Sequence, residues 1–199
     1  MAGLPQLFEM RRIEALSNTI FGVAMTLLAY QIPKDRIVSA DPKWDEIWQS
    51  YGSHLVALLL SFVVAGMFWY SHQRRLAYAP ETGRIEVLVN LLFLLSIIVL
   101  PVTTGLYGSY LDARDVTALY GSNLALISVL NTILWVMAAA PRREWHVPVA
   151  PVFSAVIFII AAVVGLVAPH LTKFLWPLAF GSPILSAYVE RGEKPTEET

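Results

Sequence analysis

RRIEALSNTIFGVAMTLLAYQI, residues 11–32, starts with charged side chains and then continues without a charge from Ala15 to Pro33. A helix that crosses a bilayer needs about 20 mostly apolar residues, so this stretch is long enough to span one. Four polar side chains nevertheless interrupt it: Ser17, Asn18, Thr19 and Thr26. A simple membrane anchor needs none of them, so they indicate a structural or functional task.

The composition of the whole chain is that of an integral membrane protein. Of its 199 residues, 56% are hydrophobic and only 15% are charged, whereas soluble domains carry about 25% charged residues. Cysteine is absent, which excludes disulfides and thiolate metal sites. The net charge of −1 gives no basic surface for nucleic acid, so we expect no nucleic-acid partner.

Apolar runs of membrane-spanning length recur along the chain. We predict an all-α, polytopic membrane protein with six transmembrane helices at about 14–32, 53–72, 87–110, 116–139, 148–168 and 171–189. The six helices form one domain, 1–189, followed by a disordered cytoplasmic tail, 190–199. An N-terminus in the cytoplasm gives nine Lys and Arg residues on the cytoplasmic side and five on the other. This bias predicts that both termini are cytoplasmic.

Several residues near the ends of the spans have a simple interpretation. The connection 33–52 contains Trp44 and Trp48, and is either a short helix lying at the membrane interface or a loop with two aromatic anchors. Arg74 and Arg75 are expected to be cytoplasmic anchors. Tyr107 and Tyr110 are expected in an interfacial aromatic belt, and Asn90 and Asn131 are expected to bridge helices.

Enzyme and ion-coupled carrier functions find little support. The motifs of phosphate-binding loops, zinc proteases and serine hydrolases are absent. No charged residue falls in the middle third of a predicted span, which disfavours proton-coupled transport. We therefore expect no catalytic residue, no cofactor and no bound metal.

One face of the first span is a candidate pore wall. On a helix, Val23, Thr26, Leu27 and Tyr30 lie at i, i+3, i+4 and i+7. An apolar stripe with one hydroxyl can line a narrow pore that gates by dewetting. A stripe that packs against another helix of the bundle explains the same spacing, and the spacing alone favours this second interpretation. Likewise, Ser17 and Thr26 can simply hydrogen-bond a carbonyl one turn back.

Four motifs in order resemble those of one channel family. The residues Arg12, Leu16, Ser17 and Asn18, followed by TIFGVAMTLL, resemble the R-x-x-x-F-S-D signature of the transmembrane-protein-175 family of potassium channels. FWYSHQRRL (68–76), NLLFLLSIIVLPVTTGLYGSY (90–110) and ALYGSNLALISVLNTILW (118–135) resemble the ends or bodies of that family's second, third and fourth helices. The fifth and sixth spans match only in hydropathy.

The resemblance implies a homotetramer whose first helices line a central pore. It implies a narrowest ring at Val23, hydroxyl oxygens from Thr26 for a potassium ion, and Tyr30 further outward, with Leu27 as the neighbouring candidate for the constriction. It also implies that Arg12, Ser17 and Asn18 brace the first helix, with Trp69 and His72 as their partners. Asn18 replaces the aspartate of the signature and Leu16 its phenylalanine, so the brace lacks one charge.

We therefore expect a potassium-favouring cation channel in the plasma membrane, whose partners are copies of itself and lipid. A small-solute secondary transporter and a non-conducting membrane scaffold are the alternatives. A transporter would saturate at low turnover, and a scaffold would pass nothing even with Val23 replaced by alanine.

Overall fold

The fold is all-helical in a computed structural model that describes residues 10–34, 37, 41–78, 83–140 and 149–181. Six α-helices and one 3₁₀ helix follow one another in these residues: α1 (Met10–Tyr30), α2 (Trp44–Tyr78), α3 (Arg84–Ser109), α4 (Arg114–Ala139), α5 (Val149–Val167), α6 (Pro169–Leu175) and a 3₁₀ helix (Trp176–Gly181). The first five are long and apolar enough to cross a membrane. The all-α class and a multi-span membrane protein are thereby confirmed.

The sixth span, 171–189, remains a prediction. In the described part of this stretch, the seven-residue α6 and the 3₁₀ helix replace a single long helix. Residues 182–189 and the predicted tail, 190–199, lie outside the described residues.

Neither interpretation of the connection 33–52 is right, because α2 begins at Trp44 and continues without a break to Tyr78. At 1.5 Å per residue, its 35 residues extend about 52 Å, well beyond the roughly 30 Å of a bilayer's hydrocarbon core. The indole of Trp48 lies against Gly52, where a Cβ would meet the ring at 3.1 Å. This packing lets a glycine occupy a helix interior, where it otherwise costs about 1 kcal/mol relative to alanine.

The core is built around α3, which contacts α1, α2 and α4. On α3, Phe93, Ile97 and Leu100 follow helical spacing and are fully buried. A second buried row on α4 starts at Tyr120. The 3₁₀ helix adds Trp176, whose ring meets that of Tyr120 edge-on at 4.9 Å.

Helices α4 and α5 pack closely because a glycine, which has no side chain, lies between them. A Cβ on Gly121 would lie 2.9 Å from the Cα of Ala162, and real Cβ atoms essentially never approach so closely. The turn between α3 and α4 is short, and Asp112 adopts a positive φ of 64° there. Aspartate tolerates this left-handed conformation better than most residues.

Candidate pore-lining site

Helix α1 has one face that packs against the rest of the chain. Ser17, Phe21, Ala24 and Leu28, spaced at i, i+4, i+7 and i+11, are buried. The ring of Phe21 lies 5.9 Å from that of Phe93 on α3, centroid to centroid. This packed face fixes the rotation of α1 about its own axis.

The opposite face of α1 carries all four residues predicted to line a pore. Val23 is 51% exposed and Tyr30 71% exposed, and Thr26 and Leu27 are exposed between them. Within the chain, therefore, this stripe does not pack against another helix of the bundle. We call these four residues the α1 stripe.

Two further residues extend the stripe toward the N-terminus, and the sequence analysis missed them as pore candidates. Leu16 and Thr19 are exposed and lie seven and four residues before Val23, on the same face. The signal was available in the helical spacing. The face carries no charged side chain from Ala15 to the end of the helix, so it offers a cation little besides hydroxyl and carbonyl oxygens.

The hydroxyl groups of α1 are satisfied within the helix itself. Ser17 Oγ donates to the carbonyl of Ile13 at 2.7 Å, and Thr26 Oγ1 donates to that of Val23 at 2.8 Å. Bonds to a carbonyl one turn back are the common fate of such residues. Because the hydroxyl of Thr26 donates its hydrogen, the lone pairs of its oxygen remain available to accept or to coordinate.

The side chain of Asn18 connects α1 to α2. Its Oδ1 accepts a hydrogen bond from Trp69 Nε1 at 2.9 Å and a second one from Gln73 Nε2. The structure thus brings together two residues of the predicted brace, Asn18 and Trp69, and adds Gln73. Sequence reasoning missed Gln73, although it lies one helical turn after Trp69 and therefore on the same face of α2.

The other predicted members of the brace are Arg12, Ser17 and His72. Arg12 is exposed in the first turn of α1, and Ser17 is buried on the packed face. His72 is fully buried between the rings of Phe21 and Phe93, at 6.0 and 5.4 Å between centroids. His72 therefore supports the packed face of α1 by ring contacts.

Arg75 is the clearest departure from expectation, because it is not a surface anchor. Only 4% of its surface is exposed. Its Nη2 lies 2.9 Å from His72 Nδ1 and donates to Oδ1 of Asn90 on α3 at 3.0 Å. Among the described residues this polar group links α2 to α3 directly behind α1, and the i, i+3 spacing of His72 and Arg75 was its sequence signal.

Tyr107 is a second correction. It is buried and stacks on Tyr120 at 5.0 Å between ring centroids, so it belongs to the core and not to an interfacial belt. Tyr110, by contrast, is exposed. Asn131 bridges α4 and α2 through Ser71, donating to Ser71 Oγ at 3.0 Å.

Five apolar helices of membrane-spanning length define a polytopic membrane protein. Within the described residues, no group of His, Cys, Asp or Glu is arranged to hold a metal ion. The chain belongs to the TMEM175 family of potassium channels: residues 12–101 match the family described as endosomal/lysosomal potassium channel TMEM175.

Individual relatives agree with this assignment. A potassium channel of Chamaesiphon minutus is 30% identical over 148 residues, which cover 72% of each chain. A potassium channel of Streptomyces collinus is 29% identical over 140 residues, which cover 69% of this chain and 63% of that protein. The match therefore spans slightly less than two thirds of the Streptomyces channel.

A solved structure extends the similarity to the whole fold. The crystal structure of a lysosomal potassium-selective channel TMEM175 homolog from Chamaesiphon minutus superposes with a TM-score of 0.76 at 26% identity. The alignment covers 89% of this chain and 98% of that one. The family and these relatives are ion channels and not enzymes, and neither the transporter nor the scaffold alternative is favoured.

Proposed function

We propose that this protein is a potassium-favouring cation channel that conducts passively through a central pore lined by α1. The observation that carries the proposal is the exposed, uncharged α1 stripe in a chain that matches a family described as a potassium channel. Helices α2 to α5 also expose apolar side chains, as expected for faces in contact with lipid, whereas the α1 stripe includes the hydroxyl of Thr26. The stripe leaves one face for other copies of the chain and for the permeating ion.

In this proposal four copies of the chain assemble around the pore. Val23 forms the narrowest ring, with Leu27 as its neighbour and Tyr30 further toward the outside. The Thr26 hydroxyl oxygens face a partly dehydrated potassium ion, with their hydrogens committed to the Val23 carbonyls. An apolar ring raises the barrier because an ion sheds hydration there without full replacement, and such a constriction gates by dewetting.

The brace sets the position of the pore wall. Asn18 ties the N-terminal half of α1 to Trp69 and Gln73 on α2, while Phe21 seats the helix against His72 and Phe93. Ser17 closes the packed face, and Arg12 acts at the cytoplasmic end. A shift of α1 changes the diameter of a pore formed by four copies, so the brace controls conduction indirectly.

The proposal includes the location of the protein. The channel lies in the plasma membrane, in contact with lipid, with both termini in the cytoplasm. This orientation follows from the nine Lys and Arg residues on one side of the predicted spans against five on the other. Positive residues in short loops are retained on the cytoplasmic side during insertion.

The test is ion flux into proteoliposomes, measured for the natural protein and Val23→Ala with potassium or sodium. Trimming the ring lowers the barrier, and we expect potassium flux to rise roughly three- to tenfold, equal to about 0.7–1.4 kcal/mol of barrier. The potassium preference falls at the same time, because a wider ring strips less water from the ion. The matched control is Val163→Ala, an equally exposed valine on α5.

Three outcomes would overturn the proposal. Flux that saturates at low turnover would establish a transporter. Silence of both the natural protein and Val23→Ala, in an assembly shown to be intact by size-exclusion chromatography, would establish a scaffold. An equal rise for Val163→Ala would remove α1 from the pore.

A further inference from the structure

Just after α1, Lys34 places a positive charge next to the end of the α1 stripe. After Tyr30 the backbone tightens into a turn, with Gln31 N donating to Leu28 O at 3.2 Å and Ile32 N donating to Ala29 O at 3.4 Å. The Nζ atom of Lys34 then lies 5.3 Å from the centroid of the Tyr30 ring. This distance is within the range of a cation–π interaction.

The position of Lys34 is also fixed through its backbone. The hydroxyl of Tyr51 on α2 donates to the Lys34 carbonyl at 3.4 Å. Pro33 restricts the preceding backbone, and Pro33 and Lys34 line a groove against Tyr51 and Leu55 of α2. The backbone of Lys34 is therefore fixed beside α2, and its exposed side chain places the ammonium over the Tyr30 ring at the end of α1.

No other charge lies near this end of the stripe along α1. The sequence has no charged residue from Ala15 to Pro33, so Lys34 is the first charge after the stripe. Asp35 and Arg36 follow it, carry opposite charges and lie outside the described residues. Among the described residues, the exposed groups at the end of the stripe include the aromatic ring of Tyr30 and the ammonium of Lys34 above it.

We propose that Lys34, held over the Tyr30 ring, forms a ring of positive charge at the non-cytoplasmic mouth of the pore and limits potassium conductance at low ionic strength. This inference rests on the proposed function, because only an assembly with α1 at its centre brings the Lys34 side chains of several copies together. The ring repels cations before they reach the Val23 constriction. It determines the rate of conduction and leaves the choice between potassium and sodium to the constriction.

The size of the effect follows from Coulomb's law and screening. Four unit charges about 10 Å from the axis in water, with a Debye length of about 20 Å, lower the cation concentration on the axis roughly fivefold. At about 0.5 M salt the Debye length is about 4 Å, and the same ring lowers it by less than about 1.5-fold. The salt dependence separates a mouth charge from a change in pore diameter.

The experiment is single-channel recording in planar bilayers of uncharged lipid, comparing the natural protein with Lys34→Gln at about 20 mM and about 500 mM symmetrical potassium chloride. We expect Lys34→Gln to raise the conductance about three- to fivefold at the lower concentration and almost not at all at the higher one. The matched control is Lys43→Gln. It removes the same charge from an exposed residue of the same connection, at the start of α2 instead of the end of α1.

A second comparison tests the Tyr30 ring. In a Tyr30→Leu background the Lys34 ammonium loses its cation–π contact. The increase in conductance caused by Lys34→Gln at low salt should then fall to less than half. If Lys34→Gln has the same effect on conductance in the Tyr30→Leu background, the role of the Tyr30 aromatic ring is refuted. Equal conductances of the natural protein and Lys34→Gln at low salt would refute the mouth charge.

The two proposals fail in different ways. If Val23→Ala alters conduction while Lys34→Gln has no effect at low salt, the mouth charge is refuted and the pore stands. If neither the natural protein nor Val23→Ala conducts, the pore is refuted and the mouth charge with it.

Discussion

Replacing Asn18 by leucine isolates the connection between α1 and α2. Leucine has the same number and branching of side-chain heavy atoms as asparagine, but its methyl groups are bulkier and it offers no acceptor. The change therefore removes both hydrogen bonds that converge on Asn18 Oδ1, from Trp69 Nε1 and from Gln73 Nε2, and leaves the packed face of α1 untouched.

The expected loss is about 1–2 kcal/mol in the free energy of unfolding. Each of the two hydrogen bonds contributes about 0.5–1.5 kcal/mol net in proteins, and interhelical bonds within membranes average about 0.6 kcal/mol. Trp69 and Gln73 are not fully buried, so their released donors find other acceptors. For this reason we add no large penalty for orphaned groups.

The assay is SDS titration of the purified protein in mixed micelles, followed by tryptophan fluorescence. Asn18→Asp is the opposite arm, because a carboxylate accepts hydrogen bonds about twice as strong as those of an amide. It should raise the free energy of unfolding by about 1 kcal/mol, because the two donors that meet Oδ1 would then bond to a charged acceptor.

The control is Thr19→Val, a neighbour on α1 whose hydroxyl bonds only to the Ala15 carbonyl of its own helix, at 2.9 Å. It should cost less than about 0.5 kcal/mol. The reasoning fails if Asn18→Leu costs no more than Thr19→Val, or if Asn18→Asp lowers stability.

Two further changes test the packing behind the proposed pore wall. Gly121→Ala inserts a methyl group against the backbone of α5 and should cost about 1–3 kcal/mol of stability, measured by the same titration. The control is Gly22→Ala, because a Cβ on Gly22 would meet no atom within 4 Å. This control should be neutral or stabilising. Tyr120→Phe removes a buried hydroxyl that lies 2.8 Å from Ser61 Oγ and should cost about 1 kcal/mol. Tyr110→Phe, at an exposed tyrosine, should cost nothing measurable, and equal costs would contradict the role of the bond.

The spans from α1 to α5 are predictable because a bilayer demands length and apolarity, and both can be read directly from the sequence. The α1 stripe is equally predictable as a set, since its members share a helical face. The direction in which that face points cannot be predicted, because a stripe on a packed helix and a stripe on a pore wall have the same spacing. The buried row from Ser17 to Leu28 settles its direction within the chain.

The errors concern polar side chains whose partners are distant in sequence. Arg75 follows Arg74 at the end of an apolar run and therefore resembles an anchor, but its acceptor is Asn90, on the next helix. Tyr107 resembles an interfacial residue until Tyr120 and Trp176 enclose it. Hydropathy assigns a depth to each residue separately, whereas burial of a polar group depends on what folds against it.

The polar residues inside the first apolar run fall into two groups: those that hydrogen-bond within α1 and the one that hydrogen-bonds another helix. Ser17, Thr19 and Thr26 donate to carbonyls of α1 itself, so none of them requires a polar partner from a neighbouring helix. Only Asn18 needs a partner, because its Oδ1 has no donor within α1, and it finds Trp69 on α2. Among these four residues only Asn18 hydrogen-bonds a neighbouring helix, while the packed face of α1 holds the helix by apolar contacts. The hydroxyl oxygen of Thr26 keeps its lone pairs for accepting or coordinating. That combination is what a pore wall needs: it must be held in position from behind and present weak oxygen ligands in front.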